Sequence, residues 1–420
     1  MKDKPQAIDR RKFLGAGVGA AAALVVGANA QPAEAEELFP ARSPSMEKLG
    51  AGVIAEPYGV PSIYEKNVVR RDVPFLSGTD ASSVSFTPLQ DLDGIITPNA
   101  VCFVRDHGGT PQIDPVSHRL MIDGLVETPL FFTMDELKRY PTISKIHFLE
   151  CPANGAMEWH GSQLQSLQFT HGMIHCCEWT GVKLSVLMNE AGVKPEAKWM
   201  LAEGADAAAM TRSIPIDKAL DDVIVAWSQN GERLRPENGY PVRLIVPGWQ
   251  GNQQVKWLRR LKFGTDPWMT REETSKYTDL LPDGKARQFA WILEAKSVIT
   301  NPCPENPAAG KGYMEVRGLA WSGRGKIQRV DVSFDGGNNW KTAELQEPVL
   351  SKCLTRFRIP YEWKGDAVMM QSRATDETGY VQPSMAELHA VRGFNPIYNN
   401  NSIQTWRLNP NGSVDNVQIA

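Results

Sequence analysis

Cysteine is scarce in this chain: Cys102, Cys151, Cys176, Cys177, Cys303 and Cys353 are the only six in 420 residues. That density is too low for a disulfide scaffold. No CxxC or CxxCH spacing occurs, which removes the sequence signals for a zinc ribbon, an iron–sulfur centre and covalently attached haem. After the first thirty residues no apolar run is long enough for a transmembrane span, and no internal repeat is visible. Positive charge is not in excess either, with 45 Lys and Arg against 48 Asp and Glu and a formal net charge of −3. No basic stripe interleaved with aromatics offsets that balance, so a nucleic-acid partner is not expected. What remains is an ordinary globular composition, 42% hydrophobic and 22% charged. The length suffices for two domains behind a leader.

The leader is explicit. Asp9-Arg10-Arg11-Lys12-Phe13-Leu14-Gly15 carries a twin arginine, followed by a Gly- and Ala-rich apolar run to Ala28. Ala28-Asn29-Ala30 and Ala33-Glu34-Ala35 both read as small-residue cleavage sites, so residues 1–30, extending at most to 35, read as a signal peptide and not as an anchor. The pattern resembles the signal by which bacteria export proteins folded in the cytoplasm around an inserted cofactor. It predicts a periplasmic protein. Cleavage after Ala30 removes five cations and two anions and takes the formal charge from −3 to −6.

Beyond it, residues 31–98 are rich in Pro, Ser and Gly and read as an extended arm. Over residues 99–289, β-rich runs alternate with helical segments: strands over 143–149, 223–227 and 242–246, a helix over 135–139 capped by Thr133, and a helix from Lys183 to Ala191 ended by Gly192. Residues 290–420 change texture. Lys326 to Phe334 alternates with period two, Asp335-Gly336-Gly337-Asn338 is a turn, Trp340 begins another strand, and residues 356–360 and 367–374 continue the pattern. Short strands with Gly-rich turns predict an immunoglobulin-like β-sandwich. The fold class is therefore α+β, a mixed domain followed by a sandwich.

The most informative stretch is Phe148-Leu149-Glu150-Cys151-Pro152-Ala153-Asn154-Gly155, a thiol where an apolar strand meets a Pro/Asn/Gly turn. Taken alone, such a Cys is more often a small buried hydrophobe. It is also where a rigid backbone can present a thiolate to a metal. His171 and His175 lie four apart, but Gly172 and the β-rich flank argue against the helix needed to aim both at one ion. Cys303 and Cys353 both lie in the later part of the chain and could pair there, although spacing does not fix connectivity. The Trp residues at strand ends and loops, Trp159, Trp179, Trp249 and Trp268, suit packing first and a pocket lining second.

Several ordered segments then resemble one family. Phe103-Val104-Arg105-Asp106-His107, Glu150-Cys151-Pro152-Ala153-Asn154, Glu178-Trp179-Thr180-Gly181, Asn238-Gly239-Tyr240-Pro241-Val242-Arg243 with Val246-Pro247-Gly248, Val255-Lys256-Trp257-Leu258, and Trp321-Ser322-Gly323 with Val330 to Gly337 are similar to motifs of the sulfite oxidase family of molybdenum enzymes. Within it, Glu273 to Leu280, Arg287-Gln288-Phe289 and the Asn-rich C-terminal segment resemble the sulfane dehydrogenases of bacterial thiosulfate oxidation. The resemblance implies one molybdopterin per chain with Cys151 as metal ligand. It implies Arg105, Trp179 and Tyr277 at the substrate, and His107, Asp206, Ser213, Asn238, Arg243 and Lys256 at the cofactor. Thiolate suits a soft metal, and the cations suit the pterin phosphate. It further implies a dihaem c-type cytochrome subunit, a sulfur-carrier protein as substrate, and self-dimerisation through the sandwich.

Two departures point away from free sulfite. Sulfite oxidases carry Arg just after the Cys-x-x-Asn motif, where this chain has Gly155 and Ala156, and His where it has Asn238. Losing a guanidinium weakens the binding of a small dianion and opens room for a larger substrate. The competing readings are sulfite dehydrogenase, a methionine sulfoxide reductase of the same family, and a non-catalytic periplasmic scaffold.

Overall fold

A nine-residue strand, Thr142–Glu150, delivers Cys151 to the centre of the molecule. The computed structural model describes residues 58–73 and 83–417, so the leader expected over residues 1–30 lies outside the described residues. From Val60 onward the chain packs as one compact unit. Among the described residues no helix is long and apolar enough to cross a membrane.

The strand Thr142–Glu150 pairs antiparallel with Ile174–Lys183, which pairs with Ile224–Gln229; Glu232–Arg233 and Arg243–Ile245 complete this sheet. A second sheet is ordered Leu130–Phe132, Leu120–Gly124, Leu258–Gly264, Trp199–Gly204, Thr211–Pro215. One core, with Leu184, Leu187, Leu244 and Phe263 fully buried in it, draws on strands of both sheets and on the helix Leu184–Ala191. That helix buries Leu184, Leu187, Met188 and Ala191, one face at helical spacing, and stops at Gly192 with φ +64°. The helix Met134–Leu137 carries a full capping box between Thr133 and Glu136. It is shorter than expected because Pro141 cannot continue a helix and biases Tyr140 towards extended backbone.

The arm is more than a wrap. Arg71–Asp72 and Val84–Phe86 form a three-stranded sheet with Val104–Arg105, so residues expected to lie outside any sheet help hold Arg105. The C-terminal part is a two-sheet β arrangement as expected. Lys296–Asn301, Gly312–Trp321, Thr355–Trp363 and Glu344–Gln346 form one sheet, and Lys341–Thr342, Ile327–Ser333, Val368–Asp376, Thr405–Leu408 and Val414–Val417 the other. The Gly336 and Gly337 turn adopts φ +70° and +92°, left-handed values that suit glycine.

Strand parity joins the two parts. Phe148, Ile174 and Cys176 belong to the core of the sandwich, while Leu149, Met173, Cys177 and Trp179 belong to a smaller core on the opposite face. Successive side chains of a strand point to opposite sides, so the central sheet is a shared wall between sandwich and site. Backbones touch at the junction: a Cβ on Gly323 would lie 1.9 Å from the Gly248 carbonyl oxygen. The six cysteines are free. The Cys303–Cys353 pairing considered from sequence is therefore not formed. Cys353 instead donates to the Ile146 carbonyl at 2.7 Å, and Cys303 sits beside Glu305.

Candidate active site

The same parity that sends Glu150 towards the sandwich sends Leu149 and Cys151 towards a cavity. Pro152 ends the strand, and the Cys151 turn is closed by its own bonds. Cys151 N–H donates to Met173 O at 3.0 Å, Asn154 N–H to Cys151 O at 2.9 Å, and Met173 N–H to Asn154 Oδ1 at 3.1 Å. Behind the turn, Asn154 Nδ2 donates to Glu150 Oε1 at 2.9 Å, and Trp321 Nε1 donates to Glu150 Oε2 at 2.7 Å. Lys296 Nζ donates to Asn154 O at 2.9 Å and Glu150 Oε1 at 3.4 Å. Trp321 and Lys296 come from the sandwich, as do Asn399, whose N–H donates to Pro152 O at 2.7 Å, and Asn400, whose Nδ2 donates to Gly155 O at 3.1 Å. The C-terminal part is thus a structural half of the Cys151 turn.

Eight of the ten residues singled out from sequence line this one cavity: Arg105, His107, Cys151, Asp206, Asn238, Arg243, Lys256 and Tyr277. Two do not. Trp179 lies fully buried in the wall, its Nε1 donating to His147 O at 3.2 Å and the Arg243 guanidinium stacked over its ring at 5.0 Å. Ser213 is on the edge strand Thr211–Pro215, where its hydroxyl accepts from Trp268 N–H at 3.0 Å and donates to Trp268 O at 3.3 Å. Spacing could place each near the motif but could not say which face of its strand meets the cavity.

Three cations, Arg105, Arg243 and Lys256, line the cavity beside the acids Asp106, Asp206 and Glu237. Arg243 is buried and donates to the carbonyls of Asn238 and Gln254 at 2.7 and 3.0 Å. Lys256 pairs with Asp106 and donates to Glu237 O at 2.8 Å. Burial lowers the pKa of Arg243 to about 10, which leaves it charged at neutral pH. Burial, with Arg105 and Lys256 nearby, lowers His107 to about 4. His107 is therefore a neutral ring, with Nε2 3.2 Å from the Tyr277 hydroxyl. Burial raises the Cys151 thiol to about 11, so a thiolate there requires a cation bound to it.

The cavity also holds a set of buried polar atoms with no protein partner: both ring nitrogens of His175, Asn238 Nδ2, Arg243 Nε and Gln254 Oε1. Buried polar groups are rarely left unmade. Donors and acceptors converging on one cavity, beside a thiol and three cations, fit a polar, anionic ring system with a thiophilic metal, as molybdopterin is. His175 and Gln254 were not singled out as cofactor contacts from sequence. Their signal, orphaned hydrogen-bonding capacity, exists only in three dimensions. Tyr398 was also missed; it packs against Tyr277 with ring centroids 5.2 Å apart and the planes tilted by 42°.

The oxidoreductase molybdopterin-binding domain model matches residues 107–271, and the Mo-co oxidoreductase dimerisation domain model matches residues 287–405. Chicken sulfite oxidase is 32% identical over 325 residues, covering 71% of this chain and 70% of its own length. The Volvox carteri NADH nitrate reductase is 32% identical over 380 residues, and there the match covers 79% of this chain but 43% of the relative. The crystal structure of the sulfane dehydrogenase SoxCD from Paracoccus pantotrophus superimposes with a TM-score of 0.89 at 52% identity, covering 90% of this chain and 98% of that one.

Proposed function

Because the chain belongs to the sulfite oxidase family of molybdopterin oxidoreductases, we propose that it is a periplasmic molybdenum enzyme that oxidises protein-bound sulfane sulfur in thiosulfate oxidation and passes the electrons to a dihaem c-type cytochrome subunit. The cofactor, when bound, supplies the oxygen-transfer and two-electron redox chemistry. Cys151 would be its metal ligand. Arg243, Lys256, Asn238, Asp206, His107, His175 and Gln254 would hold the pterin and its phosphate, and Arg105 and Tyr277 would face the sulfur substrate. Neutral His107 can accept a hydrogen bond from the Tyr277 hydroxyl, which orients that hydroxyl without placing a second positive charge beside Arg105.

The observation that carries the choice of substrate is Gly155. Its φ is +90°, and a Cβ there would sit 3.3 Å from Lys296 Nζ and 3.5 Å from Asn400. The guanidinium that sulfite oxidases bear at this point is absent here, so small-dianion binding loses a forked donor. A larger, tethered sulfur chain suits that loss better. Export by the twin-arginine route fits a protein that folds around its cofactor first.

The test begins with molybdenum per chain in the exported protein, expected at about one. Its absence, in a host that makes the cofactor, sinks the enzymatic reading. Turnover is then compared between carrier-bound sulfane and free sulfite with cytochrome c as acceptor. A kcat/KM on free sulfite that exceeds the one on the carrier would replace sulfane dehydrogenase by sulfite dehydrogenase. Cys151→Ser should abolish turnover and the molybdenum-centred spectrum with the fold retained; full activity would remove Cys151 as the ligand.

A further inference from the structure

In the wall of the cavity, Cys102, His175 and Cys177 bring one ligand atom each to within 4.8 Å of one another, all from buried side chains. Their convergence has a simple origin. His175 and Cys177 are two apart on the strand Ile174–Lys183 and so share a face. Cys102 follows the short helical turn Asn99–Val101, just before the strand that bears Arg105. The two sulfurs are 3.5 Å apart. Neither ring nitrogen of His175 has a protein partner although the residue is 2% exposed.

We propose that these three side chains hold a thiophilic d10 metal ion, zinc(II) or copper(I), separate from the molybdenum centre. Two thiolates and one imidazole are the donor set such ions prefer. With metal–sulfur bonds of about 2.3 Å, two sulfurs on one tetrahedral ion lie about 3.8 Å apart, a few tenths from the separation present. Two thiolates also balance a divalent charge. The surroundings suit anionic sulfur: Gln229 Nε2 donates to Cys102 and Cys177 at 3.3 and 3.2 Å. The Thr97 carbonyl that accepts from both thiols at 3.7 and 3.6 Å keeps a second donor, Asn230 Nδ2 at 2.8 Å, when the thiol protons leave.

The consequence reaches the cofactor. A metal on one ring nitrogen leaves the other as an N–H donor and fixes the tautomer. His175 lines the cavity, so the ion would set how this histidine meets a pterin. Because the three ligands are buried, the ion enters during folding.

The test uses holoenzyme purified from cells grown with added zinc and, separately, with added copper. Molybdenum, zinc and copper are counted in the same sample, and X-ray absorption is recorded at the zinc or copper edge. The expected result is about one zinc or copper per chain, with sulfur at about 2.3 Å and nitrogen in its coordination shell. In Cys102→Ser/Cys177→Ser that metal should fall about tenfold while molybdenum stays within about twofold. If the double variant does not fold, the absorption spectrum of the unsubstituted protein decides alone. A second metal below about a tenth per chain under both conditions, or a shell of only oxygen and nitrogen, overturns the proposal. So does an unreduced intact mass lighter by two hydrogens, with Cys102 and Cys177 bridged. A chain without molybdenum that still carries the sulfur-bound ion would keep this site and sink the enzymatic reading instead.

Discussion

Single side chains in this protein act through what burial denies them. Arg105 sits at the cavity with its Nη1 donating to Asp106 O at 2.6 Å and Ser83 O at 3.2 Å. Those two carbonyls hold its guanidinium at the cavity. Arg105→Gln should raise KM about 10- to 100-fold, the equivalent of one charge-assisted contact, with molybdenum content unchanged. A fall in kcat and cofactor content at constant KM would make it a cofactor residue. Glu158, on the helical turn just after the Cys151 motif, shows the opposite use of burial. Desolvation raises its pKa to about 7, although Asn416 Nδ2 donates to its Oε2 at 3.0 Å. The folded state therefore keeps a proton that the unfolded chain loses above about 4.5. Its stabilising contribution is full at low pH and is lost as pH rises through about 7. Glu158→Gln, a permanent copy of the protonated form, should match wild type in thermal unfolding at pH ~5 and be more stable at pH ~8.5, by at most about 3 kcal/mol. Equal pH profiles for the two proteins would refute the assignment.

At the scale of elements, the strand Thr142–Glu150 is the organising piece. Phe148 and Glu150 pack against the sandwich while Leu149 lines the cavity, so one strand couples the two parts. The buried pair Glu150–Lys296, with Trp321 and Asn154, is the mechanical link. Removing one partner leaves an uncompensated buried charge. Lys296→Met should therefore cost about 3–5 kcal/mol in denaturant unfolding, and Glu150→Gln/Lys296→Met should recover most of it. If the single and double variants unfold alike, the pair does not hold the turn. Several elements were legible beforehand: the Thr133 cap, the Gly192 stop and the period-two runs of the sandwich are local signals, and each appears within a residue or two of its expected place. The role of residues 83–86 was not legible. Their strand exists only because Val104–Arg105 offers an edge to pair with, and no local periodicity reports a partner twenty residues away.

For the molecule as a whole, the C-terminal part matches a dimerisation domain, and its sheets also brace the Cys151 turn. We expect the molybdenum subunit to sediment as a dimer at micromolar concentration. A monomer across that range would leave the sandwich with the bracing role alone. The sequence by itself determined the family, the order of the two parts and eight of the cavity's residues, because motifs record which chemistry the chain must present. Tertiary structure alone decided that Trp179 and Ser213 do not line the cavity, that Cys303 and Cys353 stay apart, and that Asn399, Asn400 and Lys296 hold the Cys151 turn from the C-terminal part. It also assembled Cys102, His175 and Cys177, which come from two segments some seventy residues apart. The physical reason is the same in each case: strand parity and long-range packing choose which polar atoms face one another, and neither is written in the spacing of residues along the chain.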